Sequence, residues 1–301
     1  MKDRLTLRQR LNNEKMAGLI CVSPFIIGFL MFMLVPMAIS LYYAFCDYDI
    51  LSPARFTGWK NIKRMLADET FYQTLKVTFK FALISVPLRL VFALVVALML
   101  FRSTKVTGVY RALYYLPSII GGSVAVAILW KRLFASNGLI NGLLLSMGII
   151  DKEVLWLGST KTALWTLIIL AVWQFGSSML IFLAALKQIP TSLYEAARVD
   201  GANGWQQFWK ITLKLLTPNI HFNLIIQMIN GFLAFTQCLI ITQGKPMNST
   251  LFYTVYMYQQ SFEFGVAGYG AALAWVMLII IALITWFLFA TKRFWVYDGG
   301  M

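Results

Sequence analysis

The chain has 301 residues, 59% of them hydrophobic and only 13% charged, which excludes an ordinary soluble domain. The apolar residues come in long runs, so a polytopic membrane protein is expected. The formal charge of +14 is scattered along the ends of those runs, where topology collects Lys and Arg, and it gives no argument for nucleic acid as a partner.

In chain order, residues 1–16 carry Lys2, Arg4, Arg8, Arg10 and Lys15 ahead of an apolar run. That run is longer than a signal peptide's core of about 7–15 residues, so it is read as an uncleaved span with its basic arm in the cytoplasm. A crossing needs about 20 apolar residues, and this length places about six spans. They fall at Ala17–Phe45, Val77–Phe101, Leu113–Phe134, Ala163–Leu186, Ile220–Thr242 and Ala271–Ala290. The expected fold class is an all-α integral membrane protein, one transmembrane domain over 1–301. The loop Arg102–Arg111 holds Arg102, Lys105 and Arg111 with no acid, and the tail holds Lys292 and Arg293. In the first outer loop Asp47, Asp49, Asp68 and Glu69 offset Arg55, Lys60, Lys63 and Arg64. Both termini are therefore expected inside.

Two features inside the spans bear on a solute. Asn223, Gln227, Asn230 and Gln237 recur at helical steps in the fifth span, one stripe of carboxamides. Facing lipid would leave their donors and acceptors unmet, so the stripe faces protein or a wet cavity. Lining a path for a hydroxyl-rich solute and hydrogen bonding between helices both fit. Arg89, just after Pro87, is the one basic residue deep in a span, and no expected span holds a carboxylate to pair with it. Contact with an acidic or polar solute such as a uronic-acid sugar is one reading. A backbone-carbonyl or interhelical contact is the other, and the preferred one. Gly121-Gly122 after Pro117-Ser118 marks a break in the third span, for which backbone lining the path and close helix packing are equal readings. His221 reads as a boundary residue rather than a ligand. Trp and Tyr near span ends fit an interfacial belt. Cys21, Cys46 and Cys238, without C-x-x-C spacing, indicate neither disulfides nor a metal site.

The stretch Tyr194–Pro218, YEAARVDGANGWQQFWKITLKLLTP, is long, basic and rich in helix formers, yet cannot sit in a bilayer. Ser192 and Glu195 have capping-box spacing, Asp200-Gly201 is a break, and Asn203 with Gln206 restarts a helix. Trp205, Phe208, Trp209, Leu213 and Leu216 continue it at helical spacing, and Pro218 is expected just before the next span. A helix–turn–helix results, with small Ala side chains at its tip.

Glu195, Ala196, Ala197, Asp200, Gly201, Ala202, Phe208, Ile211, Leu213 and Pro218 resemble the EAA loop of type I ABC importer permeases. One departure is Lys214, where that family usually has Pro after the Leu. Phe56–Asn61 is similar to the family's F-x-G-x-x-N element, Arg111–Trp130 to its R-x-x-x-x-L-P stretch, and Gly138–Asn141 to its G-x-x-N turn. Lys245-Pro246 with Ser249-Thr250 sits where the family shows Gly-Gly-Pro and Ser-Thr. The resemblance covers nearly the whole chain and points to the carbohydrate-uptake branch. It implies the type I importer transmembrane fold in a bacterial cell membrane. The partners it implies are a second homologous permease, two cytosolic ATP-binding subunits, an external solute-binding protein and a sugar or oligosaccharide as cargo. ATP with magnesium would be bound by the partner subunits. Within this chain the cytoplasmic segment 187–218 would be the coupling loop, with Glu195, Ala196, Ala197, Asp200, Gly201 and Ala202 at the docking surface.

Several chemistries lack their residues. There is no G-x-x-x-x-G-K-[ST] phosphate loop, since Gly244-Lys245 is followed by Pro246. H-E-x-x-H and G-x-S-x-G are absent, so no catalytic or metal residue is assigned. The absence of Asp and Glu from the expected spans argues against a carboxylate-driven symporter. A stand-alone secondary transporter or channel for a polar solute is the rival reading, and it predicts transport that persists without nucleotide.

Overall fold

The computed structural model describes residues 14–101 and 107–297, almost all of them helical or in short turns. Residues 1–13 of the expected basic arm lie outside the described residues, as do Arg102 and Lys105. The chain divides into two compact units, one running to Leu66 together with Gln260–Val276, the other built from Ala67–Gln259 and the residues from Met277 on.

The first unit opens with α1 (Glu14–Phe29), a π-helical turn over Leu30–Leu34, and α2 (Val35–Ala44). Gly18–Ala44 is long and apolar enough to cross a membrane and buries none of its most apolar window within the chain. A helix apolar all round needs lipid or another chain on that surface. Two short strands follow, β1 (Cys46–Asp47) antiparallel to β2 (Arg55–Phe56), then α3 (Lys60–Leu66). The F-x-G-x-x-N element now has a physical role. Gly58 takes a left-handed φ of 61°, and buried Asn61 donates to the carbonyls of Ala44 (3.0 Å) and Cys46 (2.8 Å). Those carbonyls are freed where the span ends, and the amide meets both.

The second unit is organised on α4 (Glu69–Met99), which begins eight residues earlier than expected because Asp68 caps it by accepting from the Thr70 N–H at 2.9 Å. Its buried face alternates Phe81, Val86 and Leu90 with Ala82, Ala93 and Ala97, and small residues let neighbouring backbones come close. The third expected span is two helices, α5 (Thr107–Ile120) and α6 (Val124–Leu133), bent by 99° at the Gly121-Gly122 break. Asn141 of the G-x-x-N turn opens α7 (Leu139–Ser146) and is fully used. It donates to the carbonyls of Ser136 and Val154 and accepts from Val154 N–H and the Trp156 indole.

The fourth expected span is α8 (Ala163–Trp173) and α9 (Gly176–Gln188), bent by 40°. Helix α10 (Thr191–Val199) and the turn α11 (Gly204–Gln207) form the elbow described below. A π-turn over Phe208–Thr212 leads without a stop into α12 (Leu213–Phe232). The expectation of one span over Ile220–Thr242 is corrected here: the helix ends at Phe232, and only a π-turn over Cys238–Thr242 resumes the coil. The Thr254 hydroxyl donates to the Ala234 carbonyl in that gap, which is how irregular backbone is tolerated away from water. After α13 (Tyr253–Tyr258), α14 (Ala267–Trp295) begins in the first unit and ends in the second. Among the described residues three helices are long and apolar enough to cross alone, and five crossings result if each bent pair counts as one.

Pro218 is also corrected. It lies inside α12 rather than ahead of it. Proline has no N–H, so the carbonyl four residues back, on Lys214, loses its helical partner. The Thr217 hydroxyl donates to that carbonyl at 2.7 Å, and accepts in turn from the Tyr297 N–H at 2.9 Å. His221, buried, reaches the Leu288 carbonyl at 3.0 Å and packs edge-on against Phe289 and Trp295. The boundary residue of the sequence reading is thus a pin between α12 and the last helix.

Candidate functional site

Helices α4, α5, α8, α9 and α12 surround a cavity of about 250 Å³ whose polar lining includes Arg89, Gln174, Gln227, Asn230 and Gln237. It exists because two of the surrounding elements are broken beside it. At the α5–α6 break, a Cβ on Gly121 would sit 2.5 Å from both the Gln174 side chain and the Pro117 carbonyl, so only glycine fits. Where α9 starts, a Cβ on Gly176 would meet the Tyr114 carbonyl at 2.4 Å. The two breaks are sewn together. Ser118 Oγ donates to the Gln174 carbonyl at 2.8 Å and accepts from the Ser177 N–H at 3.0 Å, and Gln174 Nε2 donates to the Gly121 carbonyl at 3.1 Å.

Arg89 sits at the centre of this network. Its Nε donates to the Ala171 carbonyl at 2.7 Å, one Nη to Gln227 Oε1, and the other to Gln174 Oε1 at 3.4 Å. Gln227 passes the chain on by donating to Ser178 Oγ at 3.1 Å. Both kinds of contact weighed for Arg89 from sequence, backbone carbonyl and interhelical amide, are therefore present, and the same side chain also lines the cavity. All three acceptors are neutral. The one ion pair among the described residues, Lys60–Asp47 at 2.7 Å, is in the first unit, between the exposed side chains of β1 and the start of α3.

The carboxamide stripe divides. Gln227, Asn230 and Gln237 reach the cavity, although Gln237 lies beyond the break that ends α12. Asn223 does not. It is fully buried, its Nδ2 donates to the Asn219 carbonyl at 3.1 Å, and its Oδ1 has no partner. Gln174 and Ser118 were missed by sequence reading. No periodicity marks them, because each owes its place to a break rather than to a helical face.

The second candidate region is the elbow between α10 and α11. Here the Asp200-Gly201 break has full Schellman geometry. Gly201 adopts φ 79°, its N–H donates to the Arg198 carbonyl at 3.0 Å, and the Ala202 N–H reaches back to Ala197 at 2.8 Å. Asn203 and Gln206, where a helix restart is expected, form a capping box with both bonds, 2.9 and 3.0 Å. The Ser192–Glu195 box does not form: α10 starts from Pro190 with no side-chain cap, which puts Ser192 and Glu195 inside the helix, both exposed. Proline takes over because its fixed φ suits a helix start without needing a cap. The Tyr194 hydroxyl meets Thr212 Oγ1 at 2.9 Å and ties the two arms together. Ala197, Asp200, Gly201 and Ala202 line a groove of about 380 Å³ with Gln206 and Lys210. In the same elbow Val199 (89% exposed) and Trp205 (70%) are turned outward.

A family model described as "binding-protein-dependent transport system inner membrane component" matches residues 18–294. The chain belongs to that family. It is a permease, a membrane-embedded transport component of the ABC importer class. Among its relatives, the probable ABC transporter permease protein YesP of Bacillus subtilis (strain 168) is 51% identical over 298 residues, 98% of this chain and 96% of the relative. The lactose transport system permease protein LacF of Rhizobium radiobacter is 32% identical, with 92% and 94% covered. The arabinooligosaccharides transport system permease protein AraP of Bacillus subtilis (strain 168) is 31% identical, with 91% and 87% covered. A crystal structure of a bacterial ABC transporter involved in import of the acidic polysaccharide alginate superposes with a TM-score of 0.81 at 24% identity, covering 95% of this permease and 98% of that chain. That likeness establishes the fold, an all-α type I importer transmembrane architecture.

Proposed function

We propose that this permease is one half of the translocation pathway of an ATP-driven, binding-protein-dependent importer of sugars or oligosaccharides in a bacterial cell membrane. A second, homologous permease supplies the other half. Two cytosolic subunits bind ATP with magnesium and do the hydrolysis, and an external binding protein delivers the solute. The relatives' names support sugar as the cargo class. The observation that carries the reading is the elbow: a Schellman turn at Gly201 and a capping box at Asn203 lock a short helix whose alanines and groove stand open.

In this reading both termini and the segment 187–218 lie inside, and the whole of 1–301 acts as one transmembrane domain. Ala196, Ala197 and Ala202 admit a partner's backbone, Gly201 allows the turn, and Glu195 and Asp200 supply exposed charge around it. ATP-driven closure of the partners would push on the elbow. Arg89, Gln227, Asn230 and Gln237 would meet the passing solute, while Asn223, once counted with them, holds the helix interior. Neutral amides suit hydroxyl-rich cargo because they exchange hydrogen bonds with it without binding it too tightly to release.

The test is a mild-detergent pull-down of the tagged chain with mass spectrometry, beside Gly201→Val. Wild type should retain an ATP-binding protein and a second permease, and the variant should lose the first. A chain that purifies alone, with uptake that needs no nucleotide, would overturn the reading.

A further inference from the structure

The cavity holds a positive charge with no negative charge to answer it. Arg89 presents five N–H donors, and three are engaged with neutral oxygens of Ala171, Gln227 and Gln174. Two N–H groups have no partner among the described residues. No Asp, Glu or second cation lines the cavity. A cation away from bulk water is costly unless something compensates it. Here the carbonyl and amide oxygens orient the guanidinium without neutralising it. Evolution of a purely structural interhelical staple has no need of a full charge, because Gln or Asn can make such bonds.

From this we infer that Arg89 is a specificity-determining residue, and that the solute passing the cavity is a sugar bearing a single negative charge, a carboxylate or a sulfonate. The inference rests on the pathway reading above. One uncompensated guanidinium matches one monoanion, whereas a phosphate monoester carries about −1.5 to −2 at pH 7 and would arrive with charge left over. The planar N–H fork suits a two-oxygen contact. Gln227 holds the fork from α12 and Gln174 from the α8–α9 break, so the charge is preset rather than recruited. Asn230 and Gln237 then face the sugar's hydroxyls from the same cavity.

The experiment uses the assembled importer in proteoliposomes and compares three purified permease forms: wild type, Arg89→Gln and Arg89→Lys. Weak binding to the complex without its binding protein is read by saturation-transfer NMR. The probes are galacturonate, a singly charged sulfonated hexose glycoside, and galactose as the neutral counterpart. Wild type should favour at least one anionic probe over the neutral one by roughly tenfold or more, as a charge-assisted contact implies. Whichever anion shows it identifies the headgroup. Arg89→Gln should collapse that ratio toward one, and Arg89→Lys should keep part of it. Because the readout is a ratio within one preparation, partial misfolding of a variant does not imitate the effect. Equal transfer to charged and neutral probes, no transfer to any, or a ratio unchanged by Arg89→Gln would each overturn the inference. Uptake by Asn230→Leu and Gln237→Leu forms separates the two levels. If they transport the importer's own solute normally, the pathway reading itself falls. If they fail while the Arg89 ratio is flat, only the charge assignment falls.

Discussion

The elbow and the cavity are built on opposite plans. At the elbow the constraints on the turn are local: a left-handed glycine, two backward-reaching N–H groups and a reciprocal cap, all within the ten residues Ala197–Gln206, with the Tyr194–Thr212 tie a longer link. At the cavity, every constraint is remote: Arg89 meets Ala171, Gln174 and Gln227, partners 82 to 138 residues away. A locally determined surface keeps its shape whatever the spans around it do. A remotely determined one changes whenever those helices move. That difference suits the proposed coupling, in which a stiff input would drive a site that opens and closes.

The largest effect that would test this contrast is at Gly201. A β-branched residue at φ 79° costs on the order of 1–3 kcal/mol of backbone strain. The cheapest relief is to unwind the turn. Gly201→Val is expected to abolish solute uptake while leaving the protein in the membrane, and uptake in vesicles checks it; wild-type transport would break the contrast. Next comes Gly121→Ala, whose Cβ would collide with Gln174 and the Pro117 carbonyl. Uptake should fall by about tenfold or more as the network shifts, since misplacing a group by about 1 Å can cost about a hundredfold. The elbow should remain intact, with unchanged hydrogen-exchange protection at the Ala202 amide. Asn203→Ala removes one cap and should cost about 1 kcal/mol locally, visible as faster exchange at the Gln206 amide with uptake reduced only a few-fold.

The smallest effect lies outside both regions and serves as a control. The Ser52 N–H and hydroxyl hold the exposed Asp49 carboxylate below the usual carboxylate range. A lowered acid gives stability that is present above the unfolded value and lost as pH falls through the folded one. The protection of the Ser52 amide, relative to its intrinsic exchange rate, should therefore hold at neutral pH and fall only below the normal aspartate range, with transport near pH 7 unaffected by Asp49→Asn.

The same contrast explains what the sequence could show. The elbow was readable because its signals, D-G for the turn and N-x-x-Q for the cap, act on neighbours in the chain. Ser192–Glu195 misled for the same local reason: the spacing fits a box, but Pro190 two residues earlier already supplied the helix start. In the spans, Gln227, Asn230 and Gln237 line the cavity from the stripe that periodicity marks, although Gln237 reaches it across a break that periodicity does not register. Asn223 fits the same stripe and is buried away from the cavity, because a stripe fixes a helix face but not how far along it the neighbours part. Gln174 was invisible. Its position depends on α8 stopping at Trp173 and on a glycine 53 residues earlier leaving room for its side chain.

In the proposed coupling, the joint at Pro218 bears on how a push on the elbow would travel onward. Proline normally weakens a helix as a strut, yet here the Thr217 hydroxyl closes the gap and is itself held by the backbone of Tyr297, just past the end of α14. The Lys214 ammonium lies over the Tyr297 ring at 4.8 Å, and His221 fastens one turn further on. A push delivered below this joint is shared between two columns in parallel, α12 and the last helix, instead of buckling the first at its weakest point. A chain cut back to Trp295 would keep both columns and lose the bolt between them.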